Sequence, residues 1–336
     1  MALKSWLLAL ILLAPPSLAL AQARTEVPIR EVDLRDQTRR YVVQIKVGET
    51  VIDAGLDSGS SGIRVLPGTL KLSDAVETRK SDSYSYGSGA KYDGVIGEAK
   101  VTIAGASGQV PLQLIKAVGC TEAIPRCPVS RAPLAQYGIQ GNGIPNEGFK
   151  AILGINMGSS AAANPLPLLG AKRWIIELPL PDSGGPGRLI LNPSPEEVAG
   201  YVAFKVDSRF SQMDGGMHDA FPACLANLKL KQGFCGPALL DTGAPGLDVI
   251  NGRGQVWPND APAAITFGGD RPKTAVSFAI GHREFASRLT YVPRPQVSDV
   301  RLHLGLTPYF AYTVLYDSDA GTVALKPRPD TKMAIQ

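Results

Sequence analysis

The chain has 336 residues, with 34 Lys and Arg against 30 Asp and Glu and a formal net charge of +4. That near-balance, with the basic residues scattered, argues against nucleic acid as a partner, and the length allows one large or two ordinary domains. Three histidines, His218, His282 and His303, and the lack of any C-x-x-C spacing argue against zinc; no metal or other cofactor is expected.

The chain opens with Lys4, an apolar stretch over residues 6–14 and small residues around Ala19, Ala21 and Ala23. That is the layout of a secretory signal peptide over residues 1–23. Pro15-Pro16 breaks the apolar run too early for it to span a bilayer, and no other long apolar segment follows. The mature protein is expected to be exported, periplasmic or extracellular, monomeric and without stable membrane insertion. Residues 24–40 read as an N-terminal extension.

From there the pattern is mainly β. Gly and Pro number 36 and 27 and are spread throughout, which implies many turns. Short runs rich in β-branched and aromatic residues predict strands over 41–47, 97–103, 110–117, 174–180, 188–191, 201–206, 276–280 and 312–315. Residues 132–137 and 194–198 suit a turn or two of helix, the second opening on Ser194-Pro195-Glu196-Glu197. In an exported chain Cys120, Cys127, Cys224 and Cys235 read as disulfides, although four cysteines allow three pairings. The local pairing, Cys120 with Cys127 and Cys224 with Cys235, would fix small hairpins. A boundary near Asn192-Pro193 divides residues 41–193 from residues 194–330, and the two parts loosely repeat one order of events: apolar strands, Asp-Ser/Thr-Gly, more strands, then an apolar pair followed by Gly.

Asp57-Ser58-Gly59 and Asp241-Thr242-Gly243 carry the chemistry. A turn aspartate ordinarily sits in a polar stretch, whereas each of these ends an apolar strand and is soon followed by another apolar run. A carboxylate in such a place needs hydrogen-bond donors. Glycine two residues on lets the backbone approach it, and Ser58 and Thr242 have hydroxyls that can brace their turns. Two such turns can meet only if two lobes face each other. Touching carboxylates then share a proton, and a water between them becomes a nucleophile, one carboxylate acting as base while its protonated partner polarises the carbonyl.

These features resemble the pepsin family over nearly all of the chain after the signal segment. Residues 51–67 and 238–250 are similar to its two active-site strands and turns. Tyr84-Ser85-Tyr86-Gly87-Ser88-Gly89, followed by Gly94-Val95-Ile96-Gly97, resembles the flap hairpin that closes over substrate. Residues 149–154 and 302–305 resemble the apolar-apolar-Gly segments behind each aspartate, and Cys235 a cysteine closing a small family hairpin. The resemblance implies a two-lobed acid protease fold with its cleft between lobes, at residues 41–193 and 194–330. It implies a catalytic pair of Asp57 and Asp241 supported by Ser58, Gly59, Ser60, Thr242 and Gly243, with Ser60 bonding the outer oxygen of Asp57. Tyr86 and Gly87 would cover a peptide or protein substrate, and Tyr84 competes with Tyr86 for that role.

Four departures stand out. Arg64 takes the place of a tryptophan that commonly contacts the flap tyrosine, and Ala244 takes the place of a Ser or Thr, which should raise the working pH of the pair. His303 stands at a position usually apolar and reads as a core histidine. The stretch before residue 41 is too short for a prosegment of the pepsinogen type. A serine hydrolase is disfavoured because no G-x-S-x-G is present; nucleotide binding is disfavoured because no P-loop or G-x-G-x-x-G is present. The alternative function is a catalytically weak or inactive binder of a peptide, a glycan or a partner protein.

Overall fold

A computed structural model of the chain describes residues 23–181, 183, 185–207, 209, 217–294 and 298–336. The signal-peptide expectation for residues 1–23 therefore lies, all but its last residue, outside the described residues.

The described residues are mainly β, in two large sheets. The first half of the chain supplies β1 (Thr25–Asp33), β2 (Arg39–Val47), β3 (Thr50–Asp57), β4 (Ser61–Val65) and β5 (Val76–Ser85). It continues with β6 (Ala90–Ile103), β7 (Ala106–Cys120), β8 (Ala151–Ile155), β9 (Arg173–Glu177) and β10 (Gly187–Leu191). The second half supplies β11 (Val202–Lys205), β12 (Phe221–Asn227), β13 (Gln232–Leu239), β14 (Leu247–Ile250), β15 (Pro262–Phe267) and β16 (Thr274–Ala279). Last come β17 (Leu289–Val292), β18 (Arg301–His303), β19 (Tyr312–Asp317), β20 (Thr322–Pro327) and β21 (Ala334–Ile335).

The larger sheet has 13 strands in the order β11-β20-β19-β9-β10-β1-β2-β3-β8-β4-β7-β6-β5. It draws on both halves of the chain, the seam being the antiparallel pairing of β9 with β19. Trp174 faces Tyr316 in that register, and the two rings stack with centroids 5.7 Å apart. Both are fully buried, and enclosing a side chain of this size contributes roughly 1.5–3 kcal/mol. The smaller sheet has eight strands, all from the second half, in the order β17-β14-β18-β13-β12-β15-β16-β21.

The first strand begins at Thr25, within the stretch read as an extension before the fold. Its charged residues (Glu26, Arg30, Glu31 and Asp33) mask the inward-facing Val27 and Ile29, which are buried between β10 and β2. Helix is confined to short pieces. The expected turn at Ser194 is α2 (Pro195–Val198), following α1 (Pro165–Leu168), and it carries a full capping box between Ser194 and Glu197. Residues 132–137 hold only a 3-10 turn, Leu134–Gln136. Cys120 is bonded to Cys127 and Cys224 to Cys235, with separations of 7 and 11 residues. The second bridge joins directly paired positions of β12 and β13. Among the described residues no helix is long and apolar enough to cross a membrane.

Each half builds the same local arrangement around its Asp-Ser/Thr-Gly turn. β3 runs parallel to β8, with Asp57 opposite Gly154, while β4 runs antiparallel to β8, with Gly62 also opposite Gly154. Gly154 is pinned between them, since a Cβ there would lie 2.8 Å from the carbonyl oxygens of both Ser60 and Gly62. In the second half β13 runs parallel to β18 and β14 antiparallel to it. Gly305 has the corresponding place, a Cβ there falling 2.1 Å from the Gly246 carbonyl oxygen. The two apolar-apolar-Gly segments thus stand behind the two turns, as their order in the chain suggests.

Candidate active site

The two acidic turns meet. A Cβ on Gly59 would lie 2.4 Å from the Asp241 carboxyl carbon, and one on Gly243 would lie 2.9 Å from Asp57 Oδ1. Glycine at these positions is therefore a condition of the approach, for reasons of space.

The hydroxyls that could brace their own turns brace each other's instead. The Ser58 amide donates to Thr242 Oγ1 and the Thr242 amide to Ser58 Oγ, both at 3.0 Å. Thr242 Oγ1 donates to the Leu56 carbonyl and Ser58 Oγ to the Leu240 carbonyl, again both at 3.0 Å. Ser58 Oγ also contacts the Tyr309 hydroxyl at 2.8 Å, and that hydroxyl meets Tyr316 at 2.7 Å. Ser58 and Thr242 are buried, so leaving any of these groups unpaired would cost about 1–3 kcal/mol.

Asp57 is buried and accepts from the Gly59 amide at 2.8 Å, the Ser60 amide at 3.1 Å and Ser60 Oγ at 2.6 Å. The hydroxyl reaches the second carboxylate oxygen, Oδ2, while both amides serve Oδ1. Asp241 accepts from the Gly243 amide at 2.7 Å. Burial, the Asp57 charge and a hydrogen bond with Asp57 hold Asp241 well above the usual carboxylate range; the Gly243 amide and Arg40 pull weakly the other way. Asp241 is accordingly the carboxyl that keeps a proton where an isolated aspartate would have lost it.

The pair opens into a cleft of about 690 Å³. Over it lies the hairpin of β5 and β6, whose tip is closed by the Tyr86 amide on the Ala90 carbonyl and the Gly89 amide on the Tyr86 carbonyl, both 2.9 Å. Tyr84 and Tyr86 both line the cleft. Arg64 is fully buried beneath them, its guanidinium carbon 3.5 Å from the centre of the Tyr84 ring and 5.9 Å from that of Tyr86. A cation over a ring face is attracted to it, and Arg64 Nη1 also donates to the Ser61 carbonyl at 2.8 Å. At the position where the resemblance leads one to expect tryptophan, a guanidinium therefore makes the contact with the hairpin, and its closest ring is Tyr84. Burial pushes the Tyr84 phenol up to about 12, with both Asp57 and Asp241 adding to the shift. The carbonyl of Gly87, at the hairpin tip, accepts from Arg294 Nη2 of the second half at 2.8 Å.

Three features of the cleft are illegible in the residue pattern. Arg40 reads as the last residue of the N-terminal extension, yet it is buried and reaches across to the second turn: Nη1 donates to the Gly243 carbonyl at 2.6 Å and Nε to the Gln140 carbonyl at 2.9 Å. Burial lowers its guanidinium to about 10 despite the attraction of Asp241, Asp36 and Asp57. The segment from Cys120 to Ile144, which matches no recognisable motif, supplies part of the cleft wall, from Thr121 and Ile124 to Tyr137 and Asn142. Asn142 receives Arg40 Nη2 at 2.6 Å and itself donates to Asp36 at 2.8 Å. His303, read as a core histidine, lies half-buried on the cleft wall, where burial and the charges of Arg294 and Arg301 lower it to about 4.

Among the described residues no group of three or more His, Cys, Asp or Glu is placed to hold a metal ion. No model of a protein family and no curated protein matches the chain.

Proposed function

We propose that this chain is a pepsin-like aspartic endopeptidase of two lobes, exported and monomeric, that hydrolyses peptide bonds with a water activated by Asp57 and Asp241. The observation that carries this reading is the approach of two carboxyl groups, the buried Asp57 and the half-buried Asp241, one from each half of the chain, at the floor of a single cleft beneath a tyrosine-bearing hairpin. The two disulfides favour an oxidising compartment.

In this mechanism Asp57, held by its three donors, takes a proton from the attacking water. Asp241, which retains its proton, donates a hydrogen bond to the carbonyl oxygen as negative charge develops there. The water oxygen bonds to the carbonyl carbon, and the tetrahedral species collapses as the C–N bond breaks and the leaving nitrogen takes a proton from the pair. Tyr84 and Tyr86 close over the peptide and exclude bulk water.

The test is hydrolysis of denatured casein between about pH 3 and 7, with and without pepstatin. Cleavage that pepstatin blocks, and that falls at least a thousandfold or so in Asp57→Asn and in Asp241→Asn, is the expected result. Cleavage undiminished in either variant would sink the mechanism, whereas casein bound but never cut would identify a binding protein.

A further inference from the structure

The cleft carries more positive charge than its carboxyl pair calls for. Arg40, Arg131, Arg288 and Arg294 all line it, and none of the four is in an ion pair among the described residues, although arginines elsewhere on the molecule, such as Arg24, Arg35 and Arg188, are paired with carboxylates at 2.6–2.8 Å. Arg131 and Arg288 are exposed. The opposing charges beyond the dyad are Asp36 and Asp248. Asp36 is already engaged by Asn142 at 2.8 Å.

The excess is concentrated beside Asp241. His303 is in register with Leu239, two residues before Asp241, and also with Asp248 on β14. Arg288 and Arg294 both act electrostatically on Asp248, and Arg294 acts on His303 as well. Asp248 is a single carboxyl beside two guanidinium groups, so even fully ionised it offsets them incompletely. Arg294 uses one donor on the Gly87 carbonyl, which fixes its head under the hairpin tip and leaves further donors on a planar, always-charged group matched to a carboxylate.

We propose that this part of the cleft, walled by Asp248, Arg288, Arg294 and His303, is a subsite for an acidic side chain, Asp or Glu, of the bound peptide, flanking the bond held at the dyad. The inference rests on reading the cleft as a peptide groove. Because Arg294 also holds the hairpin tip, an acidic residue seated here bonds the group that ties the hairpin to the opposite wall, so selectivity and closure are coupled.

The test separates binding from cutting. Fluorescein-labelled octapeptides of matched sequence, carrying Glu, Gln or Lys at one position at a time, are titrated by anisotropy against Asp57→Asn and, independently, Asp241→Asn protein. At one or two positions Glu is expected to bind about tenfold more tightly than Gln, with Lys weakest. The preference should shrink at high salt and collapse toward unity in proteins that also carry Arg288→Gln and Arg294→Gln. Equal binding of Glu and Gln at every position, or a preference that survives loss of both arginines, would overturn the subsite. Cleavage of the same peptides by the unmodified protein decides the enzyme question separately: a chain that prefers Glu peptides but cuts none keeps the subsite and loses the hydrolase, and one that cuts Glu and Gln peptides alike does the reverse.

Discussion

Asp57 and Asp241 occupy matching places, the first at the end of β3 and the second just beyond β13, yet Asp57 accepts three hydrogen bonds from its own turn where Asp241 accepts one. The difference comes down to the residue three places on. Ser60 gives Asp57 both its amide and its hydroxyl, whereas Ala244 has no hydroxyl and turns its amide to the main-chain carbonyl of Asp241. Arg40 partly compensates from across the cleft, acting on Asp241 without pairing with it directly. A shared scaffold therefore holds two carboxyl groups in unlike surroundings, the first with three donors from its own turn and the second with one.

The largest effect should come from breaking what the two turns share. Thr242→Val removes the acceptor of the Ser58 amide and the donor to the Leu56 carbonyl; Ser58→Ala removes the matching pair. Each is expected to cost about 2 kcal/mol in denaturant unfolding. Since the two hydroxyls serve one network, the double variant should lose less than the sum. Strict additivity would show that the turns are braced separately.

The next effect acts on Asp241 more than on Asp57. Arg40 favours its ionised form, so Arg40→Gln should let Asp241 hold its proton to higher pH and move the alkaline limb of the pH–rate profile upward. The smallest runs the other way. Ala244→Thr supplies a donor to the charged carboxylate and should move that limb downward by a smaller amount, making the second turn more like the first. Limbs that stay put in both variants would mean that Asp241 is not the protonated partner.

Much of this site is readable in the chain because its chemistry is local. An aspartate ending an apolar run, with glycine two residues on, carries the demand for a close backbone within a tripeptide, and the strand periodicity of β16 survives because one of its faces is buried. The partners that come from far away leave no such trace. Arg40 owes its role to Gly243 and Gln140, which lie far along the chain, and nothing in Arg39-Arg40-Tyr41 distinguishes a buried guanidinium from a solvated one. The exchange of hydroxyls between Ser58 and Thr242 is hidden for the same reason: each tripeptide displays a hydroxyl, but not whose amide it serves. Residues 120–144 lack periodicity because they form 3-10 turns and a disulfide loop, with apolar groups placed by contact.

The seam between β9 and β19, with β1 lying further along the same sheet, has a consequence for handling the molecule. Strands from the start, middle and end of the chain are stitched into one ladder, so a protease nick after Leu191, in the connection leading to α2, would leave two fragments that still travel as one particle. Such a sample would give two bands under denaturing electrophoresis and a single unshifted peak on a sizing column, and the mouth of the cleft would keep its width.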